Sequence, residues 1–244
     1  MIRFAHIPKT SGYSLYTEFH PTKYNMSKSE SCLPYWYLKD KDVLNGAIFR
    51  EPVSHVFSQY KECRFDTWGK KVTANTKFPR SNNVSIDFEK WLLHFTKPTL
   101  YYFNCYHPFN MQTRYSICNT SSGHHNLDSW PSNPIQLAKK NIDKLQWVGI
   151  QSMFHETYCV LYYKLFKTLH YKCNCKYKNT NHVHVRHNVP SNVENMTDIS
   201  AEYIKKFIQF DNEIFKYALQ RAISDILYIQ NKTKTIFWCS THNL

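Results

Sequence analysis

The sequence predicts an α/β fold, a single domain in which a central parallel sheet is flanked by helices. Two observations carry this expectation. Short apolar runs of strand length occur at residues 2–5, 43–49 and 147–150. Each is followed by a stretch whose apolar residues recur at helical spacing, and strands alternating with helices imply parallel crossovers.

The elements follow in order. Ile2 to Ala5 reads as a strand leading to a helix at 12–19, and an irregular polar stretch runs on to about Lys41. Val43 to Phe49 reads as a strand ending in Arg50. Pro52 to Tyr60 reads as a helix, with Pro in the first turn, where its missing N–H costs nothing. Residues 62–134 read as a loop-rich insertion whose later part, from 96, is a surface lid. Within it, Ser85 precedes Ile86 to Leu93, whose spacing is helical. Pro134 to Leu145 is amphipathic, Trp147 to Ile150 a short buried strand, and Met153 to Leu169 a helix apolar nearly all round. A last long helix spans about 200–230. No repeat or low-complexity segment interrupts this layout.

Composition bounds the function. At 244 residues the chain has room for one domain with a full core. Its 42% hydrophobic and 16% aromatic content excludes a disordered chain. A net charge of +13 implies an anionic partner, whether nucleotide, acidic glycan, membrane surface or nucleic acid. The basic residues are scattered, with no block of five or six, which argues against nucleic acid. No apolar run approaches the ~18–20 residues that span a bilayer, and no signal peptide precedes Ile2, so the expectation is a cytoplasmic protein. The eight cysteines permit disulfides without demanding them. Five Asn-x-Ser/Thr sequons begin at Asn25, Asn83, Asn119, Asn195 and Asn231, and about three are expected by chance, so they decide nothing.

The first fifteen residues are the most informative. A strand runs into His6-Ile7-Pro8-Lys9-Thr10-Ser11-Gly12, and a helix begins after it. A strand, a tight turn and a helix N-terminus form a cradle for an anionic phosphate, because turn amides and the helix dipole both present positive charge. The Gly-x-x-x-x-Gly-Lys-Ser/Thr loop of common ATPases is absent.

This turn resembles the 5′-phosphosulfate loop of sulfotransferases that use PAPS (3′-phosphoadenosine-5′-phosphosulfate), most closely the carbohydrate (heparan sulfate-type) O-sulfotransferases, which read His-Ile-Pro-Lys-Thr-Gly-Gly. Ser11 stands at the first of those glycines. Ile48-Phe49-Arg50-Glu51-Pro52 through Tyr60 resembles the family's 3′-phosphate segment, with Ser58 eight residues after Arg50. Weaker matches are Asn110-Met111-Gln112-Thr113-Arg114 and Val148 to Phe154. The resemblance extends from residue 2 to about 165 and implies a P-loop-like sulfotransferase fold.

It also implies roles. Lys9 would stabilise charge on the leaving phosphate, and Pro8, Thr10, Ser11, Gly12, Tyr13 and Ser14 would line the same phosphate. Arg50, with its planar fork, and Ser58 would hold the 3′-phosphate, and Arg114 and Arg186 are further anion contacts. An ion pair of Arg50 with Glu51 or Glu62 is the structural alternative. Relatives place a His or Glu base between the two segments, and several carry a Gly-His before the second strand that this chain lacks. His20, Glu30 and Glu18 are the candidates here. Family members of the Golgi lumen carry an N-terminal anchor, so a luminal place is expected if this chain is a fragment of such a protein.

The sequence also holds a competing candidate for a metal site. Cys173-Asn174-Cys175 with His182, His184 and His187 offers thiolates and imidazoles, but the spacing matches no known zinc module. The resulting expectation is transfer of a sulfuryl group from PAPS to a hydroxyl on an anionic or polar glycan, without a metal. The alternatives are a nucleotide kinase-like phosphotransferase, or a non-catalytic basic module binding sulfated glycans or nucleic acid.

Overall fold

The computed structural model describes residues 2–19, 26–30, 32, 43–74, 81–96, 105–118, 130–175 and 196–239. Four strands form one parallel sheet: β1 (Ile2–Ala5), β2 (Met26–Ser29), β3 (Leu44–Phe49) and β4 (Trp147–Ile150). Their order is β2-β1-β3-β4, with Ile2 level with both Met26 and Leu44, and Gly46 level with Trp147. Side chains alternate between the faces. Ile2, Phe4, Ile48 and Trp147 point to one side, where Leu15 and Phe19 of α1 (Gly12–Phe19) pack on them. Ala47, Phe49, Val148 and Ile150 point to the other.

That second face is covered by α5 (Met111–Ile117), α6 (Pro134–Asp143) and α9 (Gln209–Thr233), while α7 (Phe154–Phe166) contributes to both faces. The helix–sheet–helix layering therefore follows the sequence expectation. A separate aromatic cluster joins α2 (Pro52–Phe65), α4 (Val84–His94) and α8 (Asp198–Phe207) through Tyr60, Phe88, Trp91 and Phe207. Inside it, Arg64 and Asp87 form a buried pair at 2.6 Å, with Tyr60 donating to the same carboxylate. No described helix is long and apolar enough to cross a membrane.

Several elements differ from the sequence reading. Edge strand β2 lies in the stretch expected to be irregular, because Met26 is the one apolar residue it carries. The segment read as insertion and lid contains the end of α2, α3 (Thr67–Val72), α4 and α5. All seven residues of α5 are buried, so this part is core and not lid. The single long C-terminal helix is two, α8 and α9, broken at Ile208. Asn110 causes the break: its N–H donates to the Phe207 carbonyl, and its side-chain oxygen accepts from the N–H groups of Phe210 and Asp211. Asn110 itself sits at φ 42°, a left-handed conformation that Asn tolerates.

All eight cysteines are paired, as Cys32–Cys118, Cys63–Cys105, Cys159–Cys173 and Cys175–Cys239. Cys173 and Cys175 therefore offer no thiolate to a metal, and His182, His184 and His187 lie outside the described residues. Bridges of this kind contribute about 2 kcal/mol or more each. At about 2–4 °C per kcal/mol for a chain of this size, reduction of all four is expected to lower Tm by at least about 15 °C. Melting with and without dithiothreitol checks this, and an unchanged Tm would mean that the bridges carry no stability.

Candidate functional site

The strand order creates the site. The chain leaves β1 towards β2 on one side, then returns to place β3 on the other side of β1. Loops following such a pair diverge and leave a crevice at the carboxyl ends of the strands, the place where α/β sheets bind ligands. The loops concerned are residues 6–11 after β1 and residues 50–51 after β3.

The first loop is a tight turn. The Thr10 hydroxyl donates to the Ile7 carbonyl at 2.8 Å, and the Ser11 carbonyl accepts from Leu15 N–H to open α1. Lys9 and Ser11 both lie at positive φ, 65° and 70°. Gly12 is required by its surroundings, since a Cβ there would come within 2.3 Å of the His6 ring and 2.8 Å of Phe4. Its neighbours in the first turn of α1 carry the N–H groups that a helix leaves unmatched internally.

The second loop grips the first. Arg50 donates through Nη1 to the Lys9 carbonyl at 3.0 Å, and through Nε and Nη2 to the Ser54 hydroxyl. Burial lowers its pKa to about 10. The Gln112 side chain extends the edge of β3: its Oε1 accepts from Arg50 N–H and its Nε2 donates to Arg50 C=O, each at 2.8 Å. Gln112 is held in turn by Asp211, whose carboxylate accepts from the backbone N–H groups of Gln112 and Thr113 and from the Thr113 hydroxyl. Below the loop, the fully buried His55 donates Nε2–H to the Pro8 carbonyl at 2.7 Å, leaving Nδ1 bare.

The cationic groups converge here. Lys9 Nζ lies 2.5 Å from Glu62 Oε2, with both side chains about four-fifths buried. Burial and the Arg50 charge lower the pKa of Lys61, whose ammonium lies 4.8 Å from the centre of the Phe57 ring. Ser54, Ser58 and Lys61 recur at i, i+4 and i+7 along one face of α2. The Ser58 hydroxyl has no hydrogen-bond partner among the described residues.

No family model and no curated protein matches this chain. The assignment of the site rests on its own geometry.

That geometry sorts the residues expected from sequence. Arg50 donates to the Lys9 carbonyl, Ser11 and Gly12 follow on the same turn, and Pro8 and Thr10 help to build it. Tyr13 is exposed in the first turn of α1, with the Lys28 ammonium 4.4 Å from its ring centre, and Ser14 is half-buried beside it. Arg50 pairs with Ser54 and the Lys9 carbonyl, while Glu62 pairs with Lys9. Arg114 is buried and donates to the carbonyls of Phe109 and His107, so its fork is held by the main chain. Glu30 is half-exposed, 3.2 Å from His6 Nδ1. Glu18 lines a small cleft with His155, Tyr158 and Lys172. His20 and Arg186 lie outside the described residues.

Sequence reasoning missed Ser54, Lys61, His55 and Asp211, and set Glu62 against Arg50 where it pairs with Lys9. Lys61 was within reach, since continuing the register of Ser54 and Ser58 by one helical turn leads to it. Asp211 sends no local signal, being 99 residues from Gln112.

The buried histidines give this region a pH signature. Burial first, then the charges of Arg50, Lys9 and Arg114, lower His55 to about 3, and burial with Arg114 and His94 lowers His107 to about 2. Unfolding below pH 6.5 therefore takes up two protons, so stability falls as pH falls. Asp211 opposes this, because burial raises its pKa from 3.8 to about 6 and the fold holds a proton that the unfolded chain has released. One proton remains on balance between pH 6 and 4, a loss of about 1.4 kcal/mol per pH unit. Urea unfolding at pH 7, 6, 5 and 4 tests this, and equal stability throughout would refute it.

Proposed function

We propose that this chain transfers a sulfuryl group from PAPS to an acceptor hydroxyl, as a PAPS-dependent O-sulfotransferase of P-loop-like fold. The observation that carries the reading is the Arg50–Lys9 hydrogen bond, which joins the two strand-end segments into one anion site. The residues fit a nucleotide with two separate phosphates. Lys9 and the first turn of α1 suit the 5′-phosphate, and Arg50, Ser54, Ser58 and Lys61 suit the 3′-phosphate.

PAPS supplies an activated sulfuryl group on a phosphate leaving group. Lys9, a point charge on a flexible stem, follows the negative charge that develops on the leaving oxygen. Arg50 fixes position, and its own backbone is fixed by Gln112 and Asp211. A polar glycan is the proposed acceptor. The four disulfides support an oxidising compartment for this chemistry.

The test is thermal stabilisation by the desulfated product PAP (3′,5′-bisphosphate) against ATP with Mg²⁺. At a hundredfold excess over Kd, PAP is expected to add about 2.7 kcal/mol, or about 5–11 °C in Tm. Equal shifts with both nucleotides would favour the kinase-like reading. No shift with either, together with steeply salt-dependent heparin binding, would favour a non-catalytic basic module.

A further inference from the structure

The acceptor side of the cradle can be located, granted the donor reading above. Glu62 is the carboxylate in contact with Lys9, at 2.5 Å, and it projects from the last turns of α2. Beside it the chain turns sharply into α3. Asp66 caps that helix by accepting from Trp68 N–H, and Gly69 lies against the Glu62 backbone. A Cβ on Gly69 would fall 1.9 Å from the Glu62 carbonyl oxygen, so α3 packs here only because the residue is glycine. Trp68 precedes Gly69 on this turn, with 42% of its surface exposed. Tyr106 backs it, with ring centres 5.4 Å apart, and Tyr106 N–H donates to Cys63 Sγ within the Cys63–Cys105 bridge.

We propose that Glu62 takes the proton from the acceptor hydroxyl and that the acceptor is an uncharged pyranoside laid against Trp68. A pyranose presents a C–H face that an exposed indole covers, releasing water from both. Charges of both signs lie near the indole, Glu62 and Asp66 against Lys9, Lys70 and Lys71, so no single-sign field selects a charged acceptor. Lys70 and Lys71 follow on α3 and are exposed.

The pairing with Lys9 explains when Glu62 acts. Without the donor, Lys9 and Glu62 neutralise each other. A bound 5′-phosphate competes for the ammonium, and Glu62 gives up this ion pair as Lys9 turns to the phosphate. The acceptor O–H then gives its proton to Glu62, its oxygen forms the new bond to sulfur, and the sulfur–oxygen bond to the 5′-phosphate breaks. The electron pair of that bond leaves on the phosphate, beside Lys9.

The experiment uses the full chain, PAP for binding and labelled PAPS for transfer. Cellotetraose and maltotetraose serve as uncharged acceptors, a hyaluronan tetrasaccharide as the carboxylated one and 4-nitrophenol as the phenol. Glu62→Gln is expected to bind PAP several-fold more tightly, because Lys9 loses its competitor, and to lose about 10²–10⁴ in turnover. Trp68→Ala is expected to raise KM for an uncharged tetrasaccharide about tenfold, with kcat and PAP affinity near wild type. Tighter PAP binding with turnover retained in Glu62→Gln would reduce Glu62 to a mere partner of Lys9 and overturn its role as base. Preference for the hyaluronan fragment or for 4-nitrophenol, or no transfer to either uncharged sugar, would overturn the acceptor class while PAP binding still upheld the donor site. Failure of the wild type to bind PAP would overturn both readings.

Discussion

Lys9→Ala is expected to cost about 10²–10³ in turnover while the protein still folds and still binds PAP. The ammonium is the cation at the helix N-terminus that can move with the leaving oxygen, and the turn amides cannot replace it. The fold should survive because Ala meets the same positive φ as Lys at this position, and because Glu62 is not sealed from solvent. Lys9→Arg should rescue little, since a planar fork on a longer stem does not present a point charge at the same place. Arg50→Ala should give the opposite split, with PAPS binding weakened more than the chemical step, because Arg50 positions and does not follow the developing charge. Steady-state kinetics with PAP titrations on all three variants separate these outcomes. A Lys9→Ala protein with near-normal kcat would sink the role given to this residue.

Asp211→Ala should produce the largest loss of stability tied to the site. The change leaves three buried donors without an acceptor: Gln112 N–H, Thr113 N–H and the Thr113 hydroxyl. Each such group costs about 1–3 kcal/mol. Burial of the carboxylate offsets part of this, since the rise of its pKa from 3.8 to about 6 corresponds to about 3 kcal/mol. A net loss of around 3 kcal/mol is expected in urea unfolding. Because Gln112 holds the backbone of Arg50, PAP affinity should fall as well, by about tenfold. Asp211→Asn keeps one carbonyl oxygen for the N–H pair and should lose roughly half as much stability. If Asp211→Ala unfolds at the wild-type urea concentration with unchanged PAP affinity, the brace from α9 to Arg50 does not exist.

What could be read in the sequence depended on how local each feature is. β1, β3 and β4 were legible because they are short and mostly apolar, interrupted by Arg3 and Asn45 alone among polar residues, and the Lys9 turn because its residues adjoin one another. β2 was not, since an edge strand reading Met-Ser-Lys-Ser looks like a polar loop until its partner is known. α5 was hidden for a similar reason: Gln112, Thr113 and Ser116 are polar yet fully buried, satisfied by Arg50, Asp211 and a carbonyl one turn back. The site divided along the same line. Arg50 was legible, but the hydroxyl that accepts from its guanidinium belongs to Ser54, one helical turn before Ser58, a contact that periodicity alone does not indicate. Glu62 reaches Lys9 across 53 residues, a contact made by the sheet order and by no spacing within the chain.

The turn at Lys9 and Ser11 bears on how this protein would respond to selection in the laboratory. Both residues hold a left-handed backbone that glycine would adopt without steric cost, a difference of about 1–2 kcal/mol each. A library screened for soluble yield or heat resistance should therefore drift to glycine at both positions. A library screened for product should accept glycine at residue 11 and refuse it at residue 9. Two sorting criteria applied to the same codons would then separate the residue that shapes the loop from the one that does its chemistry, without any ligand being identified beforehand.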